Sequence, residues 1–270
     1  MYDKALDTFE QMPFKPNEVI LIILFKVCSE LENERALKLA KKMFNKMPKT
    51  FHHDSALLNS YLHMLMKLGE ISNAENLFTQ IKTKDIITYG VMMQGFLENK
   101  MYEKTLDIFE QMSFKPNEVI LIVLFKICSK LLNEPALRLA KRMFDEMPKT
   151  FYRKSALLNS YLHMLITFGE ISNAEKFFTQ IEINDSINYR VMMNGYNMNN
   201  RPEQCLNFFR QMQQKNIVAD ELTFTIILSA CSQIGLLSIC EPIVDKIPSN
   251  ILNHHRLQIT LIDMWMRRYK

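Results

Sequence analysis

Residues 55–81 read SALLNSYLHMLMKLGEISNAENLFTQI, and residues 155–181 read SALLNSYLHMLITFGEISNAEKFFTQI. The two segments start 100 residues apart and differ at five positions. A segment that returns at a fixed interval is typical of a stacked array of similar structural units. The pattern within the segment, and within the interval that separates its copies, therefore predicts the fold.

The duplication extends well beyond these segments. Residues 1–100 and 101–200 align without gaps and match at about two-thirds of positions. In 55–85, Leu57, Tyr61 and Leu65 recur at helical spacing, Gly69 stands where a helix would end, and a second amphipathic run follows. The pairs at 118–154, 155–185 and 86–117 span 37, 31 and 32 residues and together make up one hundred-residue interval.

We therefore predict an all-α fold, a right-handed α–α superhelical solenoid of stacked helix–turn–helix repeats with about sixteen helices. In each pair, the first helix is expected to line a concave groove. Gly95 and Gly195 lie mid-helix, where glycine costs about 1 kcal/mol, and they predict close helix–helix packing. The predicted single array over residues 1–270 consists of a partial repeat at 1–17, repeats at 18–54, 55–85, 86–117, 118–154, 155–185, 186–220 and 221–254, and a partial repeat at 255–270.

Composition limits the classes of function. The net charge of +4 permits an anionic partner without requiring one. Five cysteines without a CxxC pair or metal-ligand spacing predict reduced thiols in an intracellular protein without a metal cofactor. The apolar run at 19–25 is too short to span a bilayer, so no membrane partner is predicted.

Several segments resemble a known repeat family. The sequence YGVMMQGFLENKMYEKTLDIFEQMSFKPN, residues 89–117, resembles a pentatricopeptide repeat, with an early aromatic residue, a mid-helix glycine and a terminal KPN. The sequence PNEVILIVLFKICSKL, residues 116–131, resembles the long variant, and LLNSYLHMLMKLGEISNAENLFTQI, residues 57–81, resembles the short one. Three alternating lengths are similar to the PLS subclass. Tetratricopeptide repeats, the nearest competitor, have a fixed 34-residue period and a different motif.

The resemblance implies sequence-selective binding of single-stranded RNA, about one base per repeat, by two or three side chains. One such residue lies about a turn into the first helix, and the other is the last residue of the repeat. The implied RNA-binding residues are Asn59 with Asp85, Asn159 with Asp185, Gly90 with Asn117, Arg190 with Asp220, and Thr225 with His254. In the remaining long repeats the corresponding pairs are Ile22 with Asp54, and Ile122 with Lys154.

The Asn-plus-Asp combination generally pairs with uridine in this family. It occurs at Asn59 with Asp85 and at Asn159 with Asp185, three repeats apart, which predicts a preferred sequence U-N-N-U. Gly90, Arg190, Ile22 and Ile122 depart from the usual residues at the base-contacting position, so the remaining bases are only partly predictable.

These residues also have simpler interpretations. Asn59 lies on the flank of its helix's apolar stripe, where it could equally be an ordinary exposed asparagine. Asp85 precedes a helix and is expected to cap it, as are Asn17, Asp54, Asn117, Asp185 and Asp220. Lys67 is a candidate phosphate contact. For the whole chain, the alternative functions are a protein-binding helical scaffold and a degenerate duplicate that binds nothing tightly.

No catalytic motif is present, and we expect the chain not to be an enzyme. Many PLS proteins carry a C-terminal deaminase used in RNA editing, and such zinc enzymes need H-x-E and P-C-x-x-C, neither of which occurs here. The chain begins in the second half of a repeat and stops inside a helix, so it resembles part of a longer protein. The resemblance implies a role in organelle RNA processing or editing, a mitochondrial location, and a deaminase or other factor acting in trans or from a missing domain.

Overall fold

The computed structural model describes residues 2–181, 185–235 and 237–266, and throughout these residues the chain is helical, with no β-strand. The chain divides into two compact units, residues 1–131 and residues 132–270. The all-α fold predicted above is therefore confirmed for the described part of the chain. Each unit is considered by itself.

The first unit contains eight α-helices and one short 3₁₀ helix among its described residues. The α-helices are α1 (Tyr2–Glu10), α2 (Glu18–Leu31), α3 (Glu34–Lys46), α4 (Ser55–Lys67), α5 (Ile71–Gln80), α6 (Ile86–Glu98), α7 (Tyr102–Glu110) and α8 (Glu118–Leu131), and the 3₁₀ helix is Lys49–His53. The first helices α2, α4, α6 and α8 pack against one another in chain order, while α3, α5 and α7 each pack on the first helix of their own pair.

The second unit repeats this arrangement. Its helices are α9 (Glu134–Glu146), the 3₁₀ helix Lys149–Arg153, α10 (Ser155–Thr167), α11 (Ile171–Gln180), α12 (Ser186–Met198), α13 (Pro202–Gln214), α14 (Glu221–Ile234), α15 (Leu237–Val244), α16 (Ser249–Leu252) and α17 (His255–Met266). Here α10, α12, α14 and α17 form the row of first helices, and α11, α13 and α15 pack on α10, α12 and α14.

The helix starts coincide with the predicted repeat starts. First helices begin at 18, 55, 86, 118, 155, 186, 221 and 255, and a lone helix covers part of 1–17. That these pairs form one array over 1–270 stays a prediction.

The mid-helix glycines allow first helices to approach closely. A Cβ on Gly95 of α6 would lie 2.6 Å from the Cβ of Met66 on α4, and one on Gly195 of α12 would lie 2.7 Å from Ile166 on α10. Real Cβ atoms do not approach so closely, so only glycine fits without movement. The predicted close packing is confirmed at both positions. The turn glycine Gly69 has a φ of +74°, which a residue with a side chain adopts at a cost.

The long repeats contain an element that the periodicity did not predict. After α3 and α9, Pro48 and Pro148 end the helix, and a 3₁₀ turn follows before the next first helix. In 221–254 the four-residue α16 follows Pro248 at the corresponding place. The extra residues of the repeats 18–54 and 118–154 thus lie in this short turn and in a longer second helix, since α3 and α9 have 13 residues and α5 and α11 have 10.

Candidate functional site

The last residue of most repeats caps the following helix. Its side-chain oxygen accepts a hydrogen bond from a backbone N–H three residues on, at 2.7–3.0 Å. The residues that do so are Asn17, Asp54, Asp85, Asn117, Asp185 and Asp220. The capping role predicted for all six is confirmed. Lys154 occupies the same place before α10 and provides no side-chain cap.

In the first unit, Asn59 and Asp85 line the same cavity. The cavity has a volume of about 600 Å³ and lies along the first helices α2, α4 and α6. Asn59 is 7% exposed, and within the described residues its Oδ1 atom has no hydrogen-bond partner. An unpaired buried acceptor costs about 1–3 kcal/mol, so a ligand that supplies a donor here would gain that free energy.

The carboxyl group of Asp85 is held in its charged form. Burial alone would raise its pKa, but hydrogen bonds from the backbone and hydroxyl of Thr88, together with the nearby Asn59 amide, outweigh burial and lower the pKa below its usual value. The cavity therefore presents an amide next to a carboxylate. This combination can both donate hydrogen bonds to a polar ligand edge and accept them from it.

The rest of the cavity wall is mixed in character. Lys26, Ser60 and His63 provide polar groups, while Ile22 and Ile87 provide apolar surface. Ile22 stands at the position to which the resemblance assigned a base contact, and its side chain provides apolar surface.

Lys67, the candidate phosphate contact, is paired with two carboxylates of the protein. Its Nζ lies 3.1 Å from Glu30 and 3.5 Å from Glu32, and hydrogen bonding to Glu30 raises the pKa of its ammonium group. The two carboxylates already neutralise this charge, so a phosphate would have to compete with them.

The next candidate pair, Gly90 and Asn117, offers little to a base. Gly90 has no side chain, and a Cβ placed there would be 3.5 Å from Ile120. The Oδ1 atom of Asn117 accepts the N–H of Ile120 at 2.9 Å, so the cap uses one of its acceptor positions.

In the second unit, Asn159 is part of a hydrogen-bonded network. Its Nδ2 donates to Ser155, whose hydroxyl donates to Asp185 at 2.7 Å. Its Oδ1 accepts from the Nδ2 of Asn188, which belongs to the next first helix. The structure thus connects the predicted partners Asn159 and Asp185, through Ser155, and adds Asn188, which the sequence analysis did not identify.

Arg190 and Asp220 bind each other. The guanidinium Nη1 lies 2.5 Å from Asp220 Oδ2, while Oδ1 accepts the Thr223 N–H at 2.8 Å. Burial would raise the pKa of Asp220, but the Thr223 hydrogen bonds and the Arg190 charge together lower it. This ion pair occupies two groups that were both predicted to contact a base.

Thr225 and His254 are both linked to Glu221. The Thr225 hydroxyl donates to the Glu221 carbonyl oxygen at 2.9 Å, and His254 Nδ1 lies 2.6 Å from the Glu221 carboxylate. The Thr225 hydroxyl oxygen keeps its acceptor capacity.

Exposed apolar side chains recur at the second residue of the first helices, a feature that the sequence analysis missed. They are Val19, Ile87, Val119, Ile187 and Leu222, exposed by between 40% and 61%. The signal was an apolar residue two positions after the capping residue in five of the repeats. Single exposed apolar residues are ordinary, but five at one repeat position are a recurring feature of the first helices.

The cysteine side chains lie inside the fold. All five cysteines are buried, and burial raises the pKa of Cys28 and Cys128 to about 12. Within the described ranges, no group of three or more His, Cys, Asp or Glu residues is arranged to hold a metal ion. No helix among the described residues has the length and apolar character needed to cross a membrane.

Comparison with known families and proteins agrees with the resemblance seen in the sequence. Residues 87–115 match a family described as PPR repeat, and residues 184–233 match the PPR repeat family. A chloroplastic pentatricopeptide repeat-containing protein of Arabidopsis thaliana is 29% identical over 186 residues, which cover 67% of this chain and 21% of that protein. A mitochondrial one from the same plant is 25% identical over 246 residues, covering 90% of this chain and 39% of that protein. The chain thus spans well under half the length of these relatives.

Solved structures are similar across nearly the whole chain. The crystal structure of the pentatricopeptide repeat protein PPR10 from maize has a TM-score of 0.68 at 12% identity, over 99% of this chain and 38% of that one. PPR10 in complex with an 18-nt psaJ RNA element has a TM-score of 0.66 at 14% identity, over 100% of this chain and 39% of that one. At such low identity the likeness shows the fold, and it confirms the predicted helical solenoid of repeats.

Proposed function

Because its repeats and its relatives support a pentatricopeptide repeat protein, we propose that this chain binds single-stranded RNA along its first helices, at about one base per repeat. The observation that carries the proposal is the cavity of the first unit, where the Asn59 amide has an unpaired oxygen beside the charged Asp85. One of the similar solved structures, PPR10, is a complex with an RNA element.

The chemistry of this cavity suits a nucleobase. An amide and a carboxylate can together contact the donors and acceptors of a base edge, and exposed apolar side chains such as Ile87 offer contact to its flat face. The volume of about 600 Å³ lies within the range of small-ligand sites. A base that donates to the Asn59 amide would satisfy the unpaired acceptor.

The preferred sequence is U-N-N-U. The two uridines are assigned to the repeats 55–85 and 155–185, which carry the Asn-plus-Asp combination three repeats apart. The intervening repeats are permissive, since Gly90 has no side chain and Ile122 cannot hydrogen-bond. We assign the RNA 5′ to 3′ along the N-to-C direction of the chain.

Affinity is expected to be modest. Two specific base contacts, each worth about 1–3 kcal/mol by analogy with bidentate contacts to DNA, do not reach nanomolar affinity alone. The net charge of +4 gives only a modest overall attraction to the phosphate backbone. Phosphate contacts weaken as salt is added, so binding should be weak and salt-sensitive.

The broader biological role is part of the proposal. Repeat lengths of 37, 31 and 32 residues favour the PLS type, and relatives named as mitochondrial and chloroplastic favour an organelle. In this role the chain is a recognition module in RNA processing or editing. Any deaminase would act in trans or belong to a longer protein.

The recurring exposed apolar side chains also favour a second candidate, a scaffold that binds an amphipathic peptide. A scaffold would show no preference for one RNA sequence over another, and its binding of the peptide would survive replacement of Asn59 and Asn159. The RNA proposal predicts a sequence preference and its loss when these two asparagines are replaced.

The test is a binding selection on random single-stranded RNA with the wild type and with Asn59→Ala plus Asn159→Ala. We expect selected RNAs to contain uridine, and we expect the double variant to lose this preference while it keeps its helical content. If no uridine is enriched, or if the double variant enriches it equally, these asparagines do not contact bases and the proposal is wrong.

A further inference from the structure

The two Asn-plus-Asp repeats differ in one neighbouring residue. The third residue of the following first helix is Thr88 in the first unit and Asn188 in the second. Both side chains are about 1% exposed and both complete a capping box with the preceding aspartate. They differ in how many hydrogen-bond donors remain once that box is made.

Asn188 has donors to spare, and one of them reaches Asn159. Its Oδ1 accepts the backbone N–H of Asp185 at 3.0 Å, and its Nδ2 donates to Asn159 Oδ1. Turning the Asn188 amide would break both bonds, so its orientation is fixed. The oxygen of Asn159 is thereby satisfied within the protein, while its Nδ2 donates to Ser155 at 3.2 Å.

Thr88 has a single donor, and the capping box uses it. Its hydroxyl donates to Asp85 Oδ1 at 2.8 Å and accepts the Asp85 backbone N–H at 3.4 Å. No donor is left for Asn59, whose oxygen is the atom without a partner in this part of the described structure. Since no protein group pairs with that oxygen, a donor on a ligand in the cavity can bind it without displacing a protein hydrogen bond, while the other end of the amide interacts with Asp85.

We propose that the third residue of the following helix determines whether a repeat's asparagine is available to a base. Asn188 is a positioning residue that locks Asn159 in a network within the protein, whereas Thr88 leaves Asn59 available. This inference rests on the proposed RNA-binding function and refines it. A base at Asn159 would replace hydrogen bonds that the protein already makes, while a base at Asn59 would add one that is missing.

The consequence is an unequal preference for the two uridines. The base facing repeat 55–85 should be discriminated strongly, by about tenfold or more for uridine over other bases. The base facing repeat 155–185 should be discriminated weakly, by less than about threefold.

The reciprocal exchange Thr88→Asn and Asn188→Thr tests this in the full chain, because each copy is the control for the other. Dissociation constants are measured for synthetic single-stranded RNAs that carry U, C, A or G at one of the two positions. Thr88→Asn should abolish the discrimination at the first position and leave the second unchanged. Asn188→Thr should raise the discrimination at the second position to about the wild-type value at the first.

Equal, measurable uridine discrimination at both positions in the wild type, or exchanges that leave both ratios unchanged, would contradict the inference while the RNA-binding function stands. Absence of uridine preference at both positions in the wild type would contradict the function itself. A uniform loss of affinity for all RNAs, without a change in the ratios, would identify a structural role only.

A measurement without RNA tests directly whether Asn188 holds the side chain of Asn159. The thermal unfolding midpoint is measured for Asn159→Ala, Asn188→Ala and both together, and for the matched set Asn59→Ala, Thr88→Ala and both. The first pair should be coupled, so that the double variant loses less than the sum of the single losses, and the second pair should be additive. Additivity in the first pair would overturn the proposal whatever the RNA measurements show.

Discussion

Gly90 and Gly95 lie in the same helix, α6, and their neighbours give them opposite roles. A Cβ at Gly95 would be 2.6 Å from the Cβ, Cγ and Cε region of Met66, whereas one at Gly90 would be 3.5 Å from the methyl group of Ile120. The first approach excludes any side chain without movement of α4, and the second is an ordinary contact. Glycine is therefore required by packing at one position only.

We accordingly expect Gly95→Ala to destabilise the protein by about 1–3 kcal/mol through overpacking. Gly90→Ala, the matched control, should be neutral or stabilising by up to about 1 kcal/mol, because alanine favours the helix. Denaturant unfolding followed by circular dichroism measures both. A Gly95→Ala variant as stable as the wild type would show that Met66 moves aside at little cost.

The pH dependence of stability provides a second test at this scale. The folded-state pKa of Asp85 is lowered because hydrogen bonds from Thr88 outweigh burial. A lowered pKa stabilises the fold above the unfolded-state pKa, and this contribution is lost as pH falls through the folded-state value. The unfolding midpoint of the wild type should therefore fall below about pH 4.

Asp85→Asn should show a smaller fall in midpoint over the same pH range. Asparagine can still cap α6 but does not titrate, so the variant lacks the contribution of the ionised carboxylate near neutral pH, and the two midpoints should converge as pH falls through the folded-state pKa of Asp85. Identical slopes would mean that Asp85 contributes nothing to the acid sensitivity of the fold.

At the scale of the helix, the sequence predicted where helices begin but not the structure of the segments that connect them. An Asp or Asn directly before an amphipathic run is a local signal, and the six residues predicted from it all cap the helix that follows. The 3₁₀ turns after Pro48 and Pro148 have no periodic pattern of their own, so the sequence indicated only longer repeats.

The contact between Asn188 and Asn159 joins residues 29 positions apart and depends on the packing of α10 against α12. Repeat periodicity predicts which residues recur, but not which donors remain free after each cap is made.

Capping of α4 can be tested with a pair of variants. Asp54 accepts the Leu57 N–H at 3.0 Å, and Asp54→Ala removes this acceptor at an expected cost of about 1 kcal/mol. Asp54→Asn keeps an acceptor in place and should cost a few tenths at most. Unfolding free energies from chemical denaturation compare the two. Equal losses would assign the effect to the charge of Asp54 rather than to its hydrogen bond.

At the scale of the whole molecule, the described helices of each unit mainly contact their neighbours in chain order within that unit. In such arrays, stability is close to a sum of repeat and nearest-neighbour terms, so damage stays local. Gly95 and Gly195 occupy equivalent helices in the two units, which makes them a matched pair.

Hydrogen exchange should therefore show which helices are destabilised by a substitution at either glycine. Gly95→Ala should speed amide exchange chiefly in α4, α6 and α8, and Gly195→Ala chiefly in α10, α12 and α14. Peptide-level mass spectrometry of both variants against the wild type measures this. Uniform acceleration along the chain in either variant would show that the molecule unfolds as one cooperative body.

The bonds that begin in one repeat and end in the next bear on how such a chain can be recombined. Asp85 closes the segment 55–85, but its capping box is completed by Thr88 in the following segment, and the amide of Asn159 is likewise held by Asn188. A repeat excised at the boundary predicted from the sequence would lose the hydrogen bonds that it makes with the first residues of the following repeat. A transplanted repeat is therefore expected to keep its properties only if its graft extends at least three residues into its successor.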